Sequence, residues 1–282
     1  MADAIMGVTE TSAAAVDVIG SQVQTYLQQA SKILGQVTDY SSLVVKGAKS
    51  VEIPRSGGFT VGSKSENTAV DAQVLTYATD AIALDQHKVI QWLLEDIANE
   101  QTVVSVLQDA LMKAGKDMAR EVDQNLINIL ETASAAAPDH RIPYAGTTVI
   151  AEADILDARQ LMIAQNLDPS ELVLAINPGQ EKILLGLSNF IDASKYGTGA
   201  SPIATGEIGR VFGATVIVHN DVESLKSLLF HKSSVGYASQ LAMRFKSESD
   251  LANLATRYSL DHLYGSKLLD SGKRCVMIGT AA

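Results

Sequence analysis

The sequence predicts an α+β protein with one large domain or two smaller ones, and three observations support this fold class. A polar, glycine-rich segment lies between β-prone stretches over residues 42–94. Apolar residues then recur at helical spacing from Glu95 to about Thr132. The C-terminal part, from LLFHKSSVGYAS to KRCVMIG, alternates like β-strands punctuated by glycine.

The N-terminal region predicts a helical arm over residues 12–37. Gly20 and Gly35 weaken this helix, so its apolar stripe should need a partner. The partner is either the arm's own domain or a neighbouring subunit, and the sequence leaves both open. The stripe follows steps of three and four along one face: Val16, Ile19, Val23, Leu27, Ala30, Ile33 and Leu34.

The next element is a hairpin-like excursion over residues 51–84. SVEIPR alternates, SGGFTVGSKSENTAVDAQ is polar, and apolar runs follow over residues 74–77 and 81–84. The tip carries too few apolar groups to form a core. A loop of this length is uncommon in a compact domain unless it has a function.

The strongest helical pattern follows the excursion. It predicts a structural spine of about 50 Å from Glu95 to Thr132, with Asn99 as a candidate N-cap and acids in the first turn. Its apolar positions are Ile97, Val104, Leu107, Leu111, Met118, Val122, Leu126 and Ile129.

Helix and strand then alternate. ADILDARQLMIAQN predicts a helix, ELVLAIN a strand, and PGQEKILLGL a helix with proline in its first turn. IDASKYGTGASPIATGEIG is irregular, and RVFGATVIVHN predicts β structure.

Composition excludes several classes of protein. The net charge is −10, from 32 acids and 22 bases, and no Lys/Arg cluster offers the basic face of a sequence-specific nucleic-acid binder. A single cysteine excludes an internal disulfide framework and any multi-cysteine metal site. No apolar run is long enough to span a membrane, and the first residues lack a secretory-signal pattern.

One stretch, LDQHKVIQWLLEDIANEQ, has the residue types of an acid–base site, with His87 between Asp85 and Lys88. If the stretch is a strand, His87 faces away from Lys88 and no nucleophile accompanies it. We therefore predict a hydrogen-bonded structural histidine.

Other chemical motifs are weak. No histidine pair has metal-ligand spacing, and GTGASPIATG lacks the context of a phosphate-binding loop. Cys275 lies in the apolar stretch KRCVMI, which predicts a buried, inert thiol. The sequence thus predicts no catalytic, cofactor-binding or metal-binding residues.

Several segments together resemble the major capsid proteins of tailed phages, which have the Hong Kong 97-type fold. LDQHKVIQWLLEDIANEQ is similar to the descending arm of that family's extended loop. TGEIGRVFGATVIVHND resembles a strand segment of its axial domain, and SSVGYASQ and HLYGSKLLDSGKRCVMI resemble closing strands of its peripheral domain.

The resemblance implies five parts. They are an N-terminal arm (1–45), an extended β-hairpin loop (46–94), the spine helix with peripheral domain (95–147), an axial domain (148–230) and peripheral-domain strands with the C-terminus (231–282). It also implies inter-subunit contacts at Gly57, Gly58, Phe59, Lys64, Glu66 and Tyr196. Lys64 lies near the position of a cross-linking lysine in some relatives, but position alone does not carry that chemistry over.

The resemblance further implies a virion protein, assembled in the host cytoplasm as pentamers and hexamers around DNA that it does not bind sequence-specifically. The implied partners are a portal protein and a separate scaffolding protein, and no membrane is implied. The sequence leaves the presence of a decoration protein open. A separate scaffolding protein, or none, is expected because the extended loop starts near residue 50 and leaves no room for a cleaved scaffolding extension. The first alternative is an encapsulin-type nanocompartment with enzyme cargo, and the second is an enzyme with a site assembled from remote residues.

Overall fold

The computed structural model describes residues 31–67, 69, 72–95, 106–136, 140–144, 149–186 and 209–279. Three helices occur in these ranges, namely α1 (Val106–Ala136), α2 (Glu152–Ala164) and α3 (Pro178–Leu185). The strands are β1 (Thr38–Asp39), β2 (Ser50–Ser56), β3 (Tyr77–Ala83), β4 (Gln86–Glu95), β5 (Arg141–Ile142), β6 (Leu172–Ile176), β7 (Arg210–Val211), β8 (Ala214–Val218), β9 (Lys226–His231), β10 (Val235–Asp250), β11 (Ala255–Leu268) and β12 (Cys275–Gly279).

One sheet has four strands in the order β1-β10-β11-β4. Along β4 the side chains alternate, so that Ile90 and Trp92 are half-buried while Val89 and Leu93 point to solvent. The inward residues meet the first half of α1 in a cluster that includes Met118, Phe245 and Leu260. In the described residues, α1 therefore covers one face of this sheet, and on the other face Ile82 and Leu84 pack over Ala238.

The second sheet has six strands in the order β5-β12-β9-β6-β8-β7. Its central strand β6 is buried at every position, because α1 covers one face and α2 covers the other. Val173 packs towards Leu126 of α1, and Leu174 packs in a separate cluster with Met162 of α2. A strand that is buried on both faces has a continuous apolar sequence, and the sequence of β6, LVLAI, is of this kind.

Helix α1 connects the two sheets. Its second half lies in the largest core cluster, with Phe230 from the six-stranded sheet and Tyr237 and Tyr264 from the four-stranded sheet. The predicted spine helix is thus confirmed over residues 106–132, and it continues four residues past the predicted end at Thr132 to Ala136. At about 1.5 Å per residue its 31 residues span roughly 46 Å.

The predicted start of the spine helix at Glu95 is wrong, because Glu95 is the last residue of β4 and pairs with Ala255. Ladder pairing with β11 along ten residues keeps this stretch extended. The predicted cap Asn99 and the apolar residues Ile97 and Val104 lie outside the described residues.

The α/β region follows the sequence closely. Asn177 caps α3, since its Oδ1 accepts a hydrogen bond from the Gly179 N–H at 2.9 Å, and Pro178 occupies the first turn as predicted. The predicted β run over residues 210–220 forms the antiparallel pair β7–β8, which turns at Phe212 and Gly213.

Most of the predicted N-terminal helix, like the predicted irregular segment 191–209 apart from Gly209, lies outside the described residues. The described end of the predicted N-terminal helix differs from the expectation, because Leu34–Gln36 form a single 3-10 turn before β1. No helix in the described ranges is both long and apolar enough to cross a membrane.

Candidate inter-subunit surface

Strands β2 and β3 form a two-stranded antiparallel hairpin, in register from Ser50 opposite Ala83 to Ser56 opposite Tyr77. The predicted β-hairpin is therefore confirmed, although its returning strand begins at Tyr77 and not at Val74. Neither strand pairs with the other two sheets within the described residues. The described contacts that hold the hairpin to the body are therefore made at its base and, through side chains, at its middle.

The base of the hairpin rests on a platform of small residues. Gly236 and Ala238 of β10 and Gly265 of β11 lie beneath the end of β3, and Ala238 pairs with Gly265 in the ladder. A Cβ built on Gly265 would lie only 2.0 Å from the Ala83 carbonyl oxygen, and one on Gly236 would lie 2.7 Å from Ile82 Cδ1. At Gly265 only glycine allows this close approach of the two backbones, whereas at Gly236 the neighbours are side chains.

Apolar packing completes the attachment of the base. Ile82 is fully buried, and Val51 and Leu84 are nearly so, in one cluster with Ala238. The Leu84 N–H also donates to the Lys49 carbonyl at 3.0 Å. The sequence analysis did not single out this seat, although the glycines in SSVGYASQ and HLYGSKLL are visible signals.

A polar clamp fixes the middle of the hairpin. Arg55 of β2 forms a salt bridge with Asp270, whose backbone N–H donates to Asp80 Oδ2 of β3 at 3.3 Å. Arg274 Nε holds the same Asp270 carboxylate at 3.3 Å. Asp270 and Ser271 have positive φ values of 53° and 52°, so both residues of this turn have left-handed backbone conformations, which are uncommon outside glycine.

The described residues of the tip, 57–67, 69 and 72–76, are nearly all exposed. The Gly57 N–H donates to the Thr76 carbonyl at 2.7 Å. The Gln73 side chain accepts a hydrogen bond from the Thr60 N–H at 2.8 Å and donates to the Thr60 carbonyl at 2.5 Å. Beyond these cross-links the apolar side chains are bare, since Phe59 is 64% and Val61 97% exposed.

Five of the six predicted contact residues lie together in this tip and are exposed: Gly57, Gly58, Phe59, Lys64 and Glu66. The sixth, Tyr196, lies outside the described residues. Large apolar side chains in an exposed cluster mark a surface that binds another molecule. The tip is therefore the candidate functional site.

His87 has the hydrogen-bonding role that the sequence predicts. On β4 it faces away from Lys88, and its Nε2 lies 3.4 Å from Asp261 Oδ2, while Lys88 Nζ bonds Glu121 of α1 at 2.6 Å. Asp261 also pairs with Arg244. Burial alone would raise the pKa of Asp261, but hydrogen bonds from Arg244 and His87 outweigh it and lower the pKa.

The remaining candidate residues are structural. Cys275 is buried in β12, and burial raises the pKa of its thiol to about 12, as expected for an inert cysteine. His262 is buried between the Tyr237 hydroxyl at 2.9 Å and the Leu241 carbonyl at 2.9 Å. In the described part of the chain, no group of three or more His, Cys, Asp or Glu residues is arranged to hold a metal ion.

Comparison with solved structures identifies the fold. A chain from a structure of Mycobacterium phage Che8 superposes with a TM-score of 0.71 at 22% identity, covering 88% of this chain and 90% of that one. A chain of the capsid of cyanophage P-SCSP1u gives a TM-score of 0.73 at 18% identity, covering 87% and 86%. The mature capsid of bacteriophage PhiM1 gives 0.68 at 15% identity, covering 88% and 86%. The chain therefore has the Hong Kong 97-type capsid fold, as the sequence predicts.

The family is shown independently by sequence. The sequence model of a family described as phage capsid protein matches residues 57–276, and the chain belongs to that family. No curated protein matches the chain in sequence. The prediction of a major capsid protein of a tailed phage is confirmed, and these comparisons do not favour the encapsulin-type alternative.

Proposed function

We propose that many copies of this chain assemble, as pentamers and hexamers, into an icosahedral shell that encloses packaged double-stranded DNA. The observation that carries the proposal is the hairpin, which is anchored at its base and bare at its tip. Burying apolar tip surface on another subunit contributes about 25 cal/mol per Å². In a closed lattice this contribution recurs at every copy.

In this proposal the five parts of the chain divide the work. Residues 1–45 form the N-terminal arm, and residues 46–94 form the extended loop that lies over an adjacent subunit. Residues 95–147 and 231–282 form the peripheral domain, and residues 148–230 form the axial domain around the symmetry centres. Tip contacts through Gly57, Gly58, Phe59, Lys64 and Glu66, with Tyr196 in an axial loop, join neighbouring copies.

The charge of the chain fits a container. With a net charge of −10, the shell would not trap the polyanion as it enters, whereas a basic wall would. We therefore propose enclosure of DNA without sequence-specific binding, and a structural, non-enzymatic role. The protein would reside in the virion after assembly in the host cytoplasm, with a portal protein, a separate scaffolding protein and a decoration protein as partners.

Expression of the full chain, followed by sedimentation and electron microscopy, tests the proposal. We expect closed multi-subunit particles. Val61→Asp, which places a charge on the bare tip, should reduce particle yield at least about tenfold, because burying an unpaired carboxylate costs several kcal/mol. Val61→Thr keeps the side-chain shape and is the matched control. A stable monomer or dimer at high concentration, or equal particle yields from both variants, would contradict the proposal.

A further inference from the structure

The segment Ser31–Val37 is part of the body of the subunit. Ile33 is fully buried in the largest core cluster beside Val122 and Leu126 of α1, and Leu34 and Val37 pack against the same cluster. The apolar stripe predicted for the N-terminal arm thus ends on its own subunit. Besides this apolar packing, one acidic side chain binds the polar groups of the segment.

Asp123 of α1 is 1% exposed and accepts a set of hydrogen bonds from this segment. The Ser31 hydroxyl donates to Oδ1 at 2.5 Å, and the Lys32 N–H donates to Oδ2 at 2.8 Å. The N–H groups of Ile33 and Leu34 approach the same carboxylate at 3.4 and 3.3 Å. A buried carboxylate is stable only when paired in this way.

The six-stranded sheet contributes to the same site. His219, directly after β8, has its Nε2 3.5 Å from Asp123 Oδ2, and the Lys32 ammonium donates to the Val218 carbonyl at 3.1 Å. Burial would raise the pKa of Asp123, but the hydrogen bonds from His219, Ser31 and Lys32 outweigh it and lower the pKa. Asp123 therefore stays ionised at neutral pH and keeps accepting these bonds.

We infer that Asp123 is the anchor of the described end of the N-terminal arm: its carboxylate fixes residues 31–34 against α1, and losing it frees the segment before β1 while the two sheets stay folded. The geometry supports this because Asp123 binds the segment through its backbone N–H groups, at Lys32, Ile33 and Leu34. The sheets, in contrast, are held by their own ladders and by apolar contacts with α1.

The chain contains a natural reporter for the anchor. Lys32 is the first lysine or arginine in the sequence, so trypsin can release the peptide 1–32 only by cutting between Lys32 and Ile33. Trypsin cleaves this bond only when the chain around it is extended and accessible. In the folded subunit the Lys32 N–H is hydrogen-bonded to Asp123, and Ile33 is fully buried. The rate of cutting therefore measures local opening of the segment.

The experiment treats the purified full-length protein with trypsin and quantifies peptide 1–32 by mass spectrometry. We expect Asp123→Asn to release the peptide at least about tenfold faster than the wild type, because the neutral amide loses charge-assisted acceptance of several N–H groups. Ser31→Ala removes one bond and should give a smaller increase. Asp117→Asn, an exposed acid on the same helix, is the matched control and should match the wild type.

Two results would overturn the inference. One is an unchanged rate at Lys32 in both Asp123→Asn and Ser31→Ala. The other is an equal acceleration at lysines and arginines throughout the chain, which would mean that Asp123 stabilises the whole subunit and not the arm. Because the readout is a local cleavage rate, neither result depends on whether the protein forms a shell.

Discussion

The seat of the hairpin can be tested with one methyl group. In Gly265→Ala, the new Cβ would stand 2.0 Å from the Ala83 carbonyl oxygen and 3.2 Å from Leu84 Cα. Both contacts are backbone atoms, so no side chain can rotate away. The connection between β3 and β4 must therefore move by at least about 1 Å before the separation from the Ala83 oxygen reaches 3.0 Å, below which Cβ contacts are essentially never observed.

The size of the effect follows from the length of the hairpin. A shift of about 1 Å, taken up over roughly two residues at the base, tilts the strands by about 10° and moves the far end of a seven-residue pair by roughly 3–4 Å. Overpacking of this kind costs about 1–3 kcal/mol of unfolding free energy. A displacement of several ångströms at the tip is enough to misplace Phe59 and Val61 on a neighbouring subunit.

Urea denaturation of the unassembled subunit and sedimentation of assembled particles measure the two effects separately. We expect Gly265→Ala to fold with reduced stability and to assemble poorly. Gly35→Ala is the control, because a Cβ there would meet no atom within 4 Å. If Gly265→Ala assembles with wild-type yield and wild-type stability, the hairpin is not positioned by this contact and the reasoning fails.

Two further predictions concern buried ionisable groups. Burial lowers the pKa of His262 below its ordinary 6.5, so the unfolded chain takes up the proton first and stability falls as pH drops below 6.5, by up to about 1.4 kcal/mol per pH unit. His262→Gln can keep the bonds to Tyr237 and Leu241 without titrating. Urea denaturation at pH 7.5, 6.5 and 5.5 should therefore show a weaker dependence of the unfolding free energy on pH than in the wild type. An unchanged dependence would contradict this prediction. Arg244→Met removes the guanidinium that donates to Asp261 and leaves His87 as the other hydrogen-bond partner of this carboxylate, and we expect a loss of roughly 1–3 kcal/mol in urea denaturation. Lys246→Met on the same face is its control and should cost less, because Lys246 acts on Asp261 through its charge and without a hydrogen bond; equal stabilities of the two variants would rule out this role for Arg244.

The elements that could be predicted from the sequence are those with a clear local pattern. Helix α1, strand β6 and the capped helix α3 each carry a periodic or terminal signal that needs no knowledge of the tertiary structure. The boundary at Glu95 was missed because LLEDIANE suits either a strand end or an acidic helix start. Pairing with β11, a contact over more than 150 residues of sequence, decides between them.

The surface of the tip could also be predicted, because a long polar segment with isolated apolar residues has no core to join. The anchor at Asp123 was missed, since one acid in an amphipathic helix is normally assigned to solvent. A signal was present: Asp123 follows Ala119 by four positions and precedes Leu126 by three, which places it on the buried stripe. Its partners, however, are backbone N–H groups, which no sequence pattern marks.

Thiol labelling of Val61→Cys, before and after assembly, tests most directly whether the hairpin tip is an inter-subunit contact. The only native thiol, Cys275, is buried and has a pKa raised to about 12, so the wild-type protein supplies an unreactive background. We expect rapid maleimide labelling of the unassembled subunit and at least about tenfold slower labelling in assembled particles, because a neighbouring copy covers the tip. Equal labelling rates in the two states would contradict the account.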